Sequence, residues 1–289
     1  MLEVKNLYKS FDDNLILEDI SLNFETSKIY GILGINGAGK STILRTLSGI
    51  YIGDKGCVTL DNEDVYENIK AKSEIFYLPD ENTYLPCETI DSNIKYYKTI
   101  YNTFDNDLYE SLNDLFKLDT KKSLKSFSKG MKKQAQLMIT LSFVPRYLIL
   151  DETFDGLDPL IRIKIKKYLI DIVEEKNICI IISTHNISDI ENLIDFLVIV
   201  NNKKVEVSNV FDGENEKYFK AQLCFKGDFD INDIKLNFKE KNKIGSIHTI
   251  IFENSKEEIE REINKHNPIV FDITNVTKEE FFMLEVEGK

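Results

Sequence analysis

The chain has 289 residues, enough for one large core or two smaller ones. Its 37 Lys and Arg against 49 Asp and Glu give a formal charge of −12, a balance that argues against a general nucleic-acid binder. No apolar run approaches the ~20 residues of a membrane span, and the opening MLEVKNLYKSF lacks a secretory apolar segment, so a cytoplasmic protein is expected.

Residues 1–25 read as an antiparallel pair. Leu2–Asn6 alternates, Asp12-Asp13-Asn14 turns, and Ile16–Phe24 alternates again. Lys28–Leu33 (KIYGIL) is a short apolar strand. Ser41–Ile50 places Ile43, Leu44 and Leu47 at helical spacing and stops near Gly49. Gly53–Leu60 and Ile75–Leu78 are further short strands. From 88 to 146 the pattern turns helical, with Ile94, Tyr97 and Tyr101, then Leu108, Leu112 and Leu115 recurring every three or four positions. This helical insertion splits an α/β body, which resumes at Tyr147–Leu150 (YLIL). A helix over Leu160–Glu175, a strand at Ile178–Ser183, and a hairpin of Phe196–Val200 with Lys204–Val207 complete residues 1–211. After a polar break at Phe211–Asn215, residues 212–289 carry a pattern of their own. Strands are expected at Tyr218–Lys226, His248–Glu253 and Ile269–Ile273. A helix at Ser255–Lys265 opens on a capping box with Glu258, and a last helix from Thr277 opens on another with Glu280. A small α+β appendage is the reading.

The chemistry concentrates in two places. Residues 34–41, Gly-Ile-Asn-Gly-Ala-Gly-Lys-Ser, follow a strand and open a helix. Gly34, Gly37 and Gly39, with Ile35, Asn36 and Ala38 between them, let the backbone curl until several N–H groups face one anion. Lys40 can reach the β- and γ-phosphates of a nucleotide, and Ser41, followed by Thr42, can ligate Mg²⁺. The phosphates would sit at a helix N-terminus, where the dipole favours negative charge. The second place is the end of Tyr147–Leu150, where Asp151 can hold the same Mg²⁺ and Glu152 can polarise water. Cys57, Cys87, Cys179 and Cys224 are widely separated, as are His185, His248 and His266; neither set has the close spacing of a zinc site. Lys121, Lys122, Lys125, Lys129, Lys132 and Lys133 form a basic run that reads equally as a solvated surface or as a binding face.

The run LILDETFDGLDP at 148–159 resembles the strand, acidic pair and following loop of the ATP-binding-cassette family. Phe127-Ser128-Lys129-Gly130-Met131 is similar to that family's Leu-Ser-Gly-Gly-Gln signature, with Ser128 and Gly130 matching and Lys129 and Met131 departing. Ser183-Thr184-His185 is similar to its histidine switch. The resemblance spans about residues 1–210 and implies a P-loop ATPase core with an N-terminal antiparallel β subdomain. It implies head-to-tail pairing with a second cassette, a copy or close paralogue, and two ATP molecules between them. Each ATP would meet the phosphate loop of one cassette and Ser128, Lys129, Gly130 and Met131 of the other. Ser128 also stands at a predicted helix start, where its hydroxyl and nearby N–H groups suit a phosphate. By resemblance His185 contacts the γ-phosphate; taken alone it reads as a structural histidine. Asp158 resembles the residue that communicates between cassettes, and before Pro159 it is equally a helix N-cap. Phe11 stands where the family stacks a ring on adenine, with Tyr8 as competitor and a core aromatic as the plain alternative. In Tyr77-Leu78-Pro79-Asp80-Glu81 the chain departs from the family, which has glutamine where Asp80 stands; a carboxylate there is expected to bind Mg²⁺ or water.

The expected activity is ATP hydrolysis coupled to transport. A separate transmembrane permease would hold the protein at the inner face of the membrane. The single cassette, the early Phe-Asp-Asp turn and the C-terminal segment look like ATPase subunits of exporters for drugs, antibiotics or antimicrobial and amphipathic peptides. The alternatives are a soluble cassette ATPase acting on ribosomes or DNA, and a regulatory subunit without turnover. The first is disfavoured by the single cassette and short insertion, the second by the presence of Lys40, Asp151, Glu152 and His185.

Overall fold

A computed structural model describes residues 1–80, 87–208, 218–227, 229–277, 280, 281 and 284. Glu81 and the polar break at Phe211–Asn215 lie outside them, as does most of the helix expected after Thr277. The chain divides into two compact units, 1–209 and 210–289.

In the first unit, β1 (Leu2–Phe11) and β2 (Asn14–Phe24) form the antiparallel pair and β3 (Lys28–Leu33) leads into α1 (Lys40–Leu47). Then come β4 (Lys55–Leu60), β5 (Glu63–Asp64), α2 (Ile69–Ser73) and β6 (Ile75–Leu78). The helical stretch resolves into α3 (Ile90–Tyr97), α4 (Asn106–Phe116) and α5 (Lys129–Ser142). β7 (Tyr147–Asp151), α6 (Pro159–Lys176), β8 (Cys179–Thr184), β9 (Phe196–Asn201) and β10 (Lys204–Ser208) complete it.

Two sheets result. One is antiparallel in the order β2-β1-β4-β5. The other runs β10-β9-β3-β8-β7-β6, parallel from β9 to β6, with β10 turned back against β9. β7 and β8 are buried at every position and are rich in Ile and Leu, as a parallel strand covered on both faces must be. The core of this unit draws Leu2, Leu7, Leu17 and Phe24 from the antiparallel sheet and Ile32, Ile149, Ile181 and Val198 from the parallel one. α1 contributes Ile43, Leu44 and Leu47 to the same cluster, all fully buried. At about 1.5–3 kcal/mol for each such side chain, this burial fixes the helix that follows the glycine loop.

Parallel pairing then sets the site. Leu33 lies opposite Thr184, and Asp151 opposite Ser183. The glycine loop, the Asp151-Glu152 pair and Ser183-Thr184-His185 therefore leave the carboxyl ends of three neighbouring strands on one edge, where open α/β sheets bind ligands. β6, the next strand, ends at Leu78 opposite Leu150 and brings Asp80 to the same edge.

The second unit contains β11 (Phe219–Cys224), β12 (Phe238–Ile244), β13 (Ile247–Phe252), α7 (Lys256–Asn264) and β14 (Val270–Asn275). Its sheet is antiparallel in the order β12-β13-β11-β14. Phe219, Leu223, Ile250 and Phe252 pack with Ile259 and Ile263 of α7 in a separate core. The capping box at the start of α7 is formed, with Ser255 Oγ accepting from the Glu258 N–H and Glu258 accepting from the Ser255 N–H. Thr277 and Glu280 exchange the corresponding bonds.

The sequence pattern misses three elements: α2, the two-residue charged β5 and β12. α2 is too short for an apolar repeat to register, although Asn68 caps it. β12 (FKEKNKI) is an edge strand paired to β13, and its lysines hide any alternation, as charges on edges commonly do. β4 also begins later than expected. Gly53 is pressed against Leu7, and Asp54 turns back to accept from the Ser10 N–H, so regular pairing starts at Lys55.

Candidate active site

Gly37 has φ +83° and Gly39 φ +107°, both in the region that favours glycine. A side chain at Gly34 would meet the Val200 carbonyl of β9 at 2.8 Å, so the loop can leave the sheet here only with glycine. Gly39 is the N-cap of α1, and its helix has neither a capping side chain nor an acid in its first turn. The other six α-helices named above each have a capping side chain. The opening N–H groups of α1 thus have no oxygen from a capping side chain among the described residues.

Lys40 is 5 % exposed. Its Nζ donates to the Gly34 carbonyl at 2.8 Å and to the Ile35 carbonyl at 3.4 Å, and it lies 3.1 Å from Glu152 Oε1. The other Glu152 oxygen, Oε2, is 3.0 Å from His185 Nδ1. Asp155 Oδ2 stands 4.0 Å from the same His185 nitrogen. Burial, then the Glu152 charge, raise the Asp155 carboxyl above the usual carboxylate range.

Asp151 is 1 % exposed and held on both oxygens. Ser183 Oγ donates to Oδ1 at 2.5 Å and the Tyr77 hydroxyl to Oδ2 at 3.0 Å. Ser183 Oγ in turn accepts from the Glu152 N–H at 3.0 Å, so one hydroxyl orders both acids. Tyr77 is kept a neutral donor: burial and the Asp151 charge push its hydroxyl well above its ordinary value. Arg45 of α1 bonds Tyr77 as well as Tyr51. Glu152 itself has φ +44°, a left-handed backbone unusual away from glycine.

At α5, Ser128 is the N-cap, its Oγ accepting from the Met131 N–H at 3.2 Å. A hydroxyl so engaged still has its own proton to donate. Lys129 begins the helix, and Gly130 and Met131 follow in its first turn. Asp158 caps α6 by accepting from the Leu160 N–H at 2.9 Å, with Pro159 at the first helical position. Phe11 is 40 % exposed and meets Tyr51 edge-on at 5.3 Å, whereas the Tyr8 ring lies under Lys55. Ser41 and Thr42 stand in the first turn of α1, behind Ile35, Asn36 and Ala38 of the loop.

One sequence reading needs correction. Lys133 does not belong to an exposed basic run: it is 5 % exposed, and its Nζ donates to the Glu152 carbonyl at 3.2 Å and lies 3.5 Å from Asp80 Oδ1. Tyr77 and Asp155 were also passed over. Tyr77 looks like any aromatic of an apolar strand. Asp155, in the loop after the acidic pair, could have been found by its distance from Glu152.

The residues fit a magnesium nucleotide. The uncapped helix start, the cradle closed to side chains at Gly34 and the buried Lys40 suit phosphates. An acid steadied by two hydroxyl donors suits a hard divalent cation, because such donors orient a ligating carboxylate.

Fold and loop together define a P-loop nucleotide-binding α/β unit. A sequence model of the ABC transporter family matches residues 17–155. The chain is 29 % identical to the ABC transporter ATP-binding protein YtrB of Bacillus subtilis (strain 168), over all of this chain and 99 % of that one. It is 32 % identical to the lantibiotic transport ATP-binding protein SrtF of Streptococcus pyogenes, over 78 % of this chain and 99 % of that one. A solved structure of the ATP-binding subunit of an ABC transporter superposes with a TM-score of 0.67 at 25 % identity, covering 73 % of this chain and 91 % of the other. The chain belongs to the ATP-binding proteins of ABC transporters, and it is an ATPase of that class.

Proposed function

We propose that this ATPase powers export of an antimicrobial or amphipathic peptide or a drug through a separate membrane-spanning partner. The observation that carries the reading is its 32 % identity to a lantibiotic transport protein along nearly the whole of that protein. No helix among the described residues is long and apolar enough to cross a membrane. On this reading the ATPase lies at the inner face of the membrane. It works as a pair of cassettes, with Ser128, Lys129, Gly130 and Met131 of one facing the ATP of the other and Asp158 at their junction. Residues 212–289 act as an accessory domain that steadies the pair or tunes turnover.

Within one cassette, the loop from Gly34 to Lys40 cradles the phosphates and Phe11 stacks on the base. Ser41, with Thr42 beside it, and Asp151 would hold Mg²⁺, which when bound neutralises charge on the phosphate oxygens. Glu152 accepts the proton of water as its oxygen bonds the γ-phosphorus and the bond to the bridging oxygen breaks, releasing ADP and phosphate. His185, 3.0 Å from Glu152, orients that carboxylate and the γ-phosphate. Lys40 is held by Glu152 at 3.1 Å, so phosphate arrival draws the cation away and leaves the carboxylate to act on water.

The test is resistance and transport. Cells lacking the protein, grown against a panel of lantibiotics, bacitracin and amphipathic drugs, are expected to gain sensitivity to at least one. Wild-type protein should restore resistance and Glu152→Gln should not. Unchanged sensitivity across the panel, with the protein co-purifying with ribosomes instead of a membrane protein, would overturn the reading.

A further inference from the structure

Glu152 is held at its carboxylate by Lys40 and His185 and at its N–H by Ser183. Its carbonyl is held from another part of the unit. Lys133, on α5 shortly after the cap residue Ser128, sends its ammonium to that carbonyl at 3.2 Å. The side chain of Lys133 is 7 % exposed, and Asp80 Oδ1, two residues past the end of β6, stands 3.5 Å from the nitrogen. A buried ammonium is tolerated only where another charge and hydrogen-bond acceptors meet it. The Glu152 carbonyl supplies an acceptor and Asp80 the charge. The left-handed backbone at Glu152 is strained for a residue with a side chain and persists when neighbours over-determine it. Lys133 and Ser183 are such neighbours, fixing the peptide groups on either side of the residue.

Resting on the reading of Glu152 as the base, we propose that Lys133 is a positioning residue for it and that Asp80 serves as the counter-ion of Lys133 rather than as a metal ligand. This accounts for a carboxylate where the family resemblance expects glutamine: an amide would leave the buried ammonium without its opposite charge. It also joins two ends of the ATPase cycle. Ser128 caps the helix that carries Lys133, so a shift of α5 when a second cassette engages that cap moves the ammonium along the Glu152 carbonyl. The base is then aimed by the helix that meets the partner.

The experiment uses the full chain and MgATP. Lys133→Gln is expected to lower kcat about tenfold while nucleotide affinity, read with a fluorescent ATP analogue, stays within about twofold. Asp80→Gln together with Lys133→Gln should recover most of the rate, because both charges leave at once. Asp80→Asn should leave the Mg²⁺ concentration for half-maximal rate unchanged. In a Glu152→Gln background, Lys133→Gln should add no further loss in single-turnover rate, since it acts through the residue already disabled. A wild-type kcat in Lys133→Gln, a raised Mg²⁺ requirement in Asp80→Asn, or an additive loss in the Glu152→Gln background would each overturn the proposal. So would a rate deficit in Lys133→Gln that the double variant does not mend. Wild-type turnover by Glu152→Gln would instead remove the base assignment itself, and the proposal with it.

Discussion

The two compact units bury charge for different ends. In the first, Lys40, Lys133, Asp151 and Asp189 are almost fully buried, and each is held by residues distant in sequence. Asp189, beyond His185, pairs with Arg162 of α6, and Arg162 also donates to the Phe154 carbonyl in the loop after Glu152. In the second unit the buried acid Glu262 is bound by Lys265, the residue that ends its helix, and accepts from the Lys235 N–H. Glu280, at its rim, gathers Lys220 and Lys241. Long-range pairs that desolvate charge rarely repay in stability what they lose in solvation. Where they converge at strand ends, as in the first unit, they are the mark of chemistry. In the second unit even the distant partners of Glu280, Lys220 of β11 and Lys241 of β12, meet it at the rim, where such pairs only finish a surface.

The largest effect expected from that contrast is on turnover. Glu152→Gln should lower kcat by at least about a hundredfold while retaining MgATP binding, because water loses its base and the phosphate cradle survives. Lys40→Ala should reduce both turnover and affinity. Single-turnover hydrolysis beside equilibrium binding separates the two, and a wild-type rate in either variant would break the contrast.

A smaller effect is expected in the second unit. Ile259→Ala, emptying a fully buried site beneath the sheet, should destabilise that unit by about 2–5 kcal/mol. Calorimetry should show one transition moving while ATP binding is unaltered. A joint shift of both transitions with loss of binding would mean that the units are not independent.

The smallest concerns a first-unit pair away from the site. The Arg146 guanidinium beside Asp61 holds its carboxyl well below the usual carboxylate range. A depressed folded-state value stabilises at neutral pH, and the gain is lost as pH falls below the ordinary range of about 4. Arg146→Gln should therefore lower stability at pH 7 slightly and flatten its acid limb. An acid limb identical to wild type would show that the exposed pair contributes nothing.

How much of this could be read beforehand depends on the kind of residue. The glycine loop, the acidic pair and the parallel strands were legible because each is local: a curl, a strand end, an unbroken apolar run. The strand Ile75–Leu78 is found at those residues. Lys133 was not legible, because a lysine run looks the same whether its members face water or one turns inward to a carbonyl. Tyr77 was hidden for the converse reason, as its hydroxyl matters only once β6 lies beside β7. β12 escaped because an edge strand is shaped by the need to stay soluble more than by alternation. Asp80 was read for the family position it occupies, and its partner came into view only with the packing of α5.

The bare start of α1 reaches beyond hydrolysis. A helix that lacks its capping oxygen and lies between two sheets is a structural element left for a ligand to finish. An anion that completes it binds the folded chain and not the unfolded one. It therefore raises the melting midpoint by mass action, with about 2.7 kcal/mol gained at a hundredfold excess over Kd. A nucleotide pool held far above that Kd would act on this chain as a folding partner before it served as fuel.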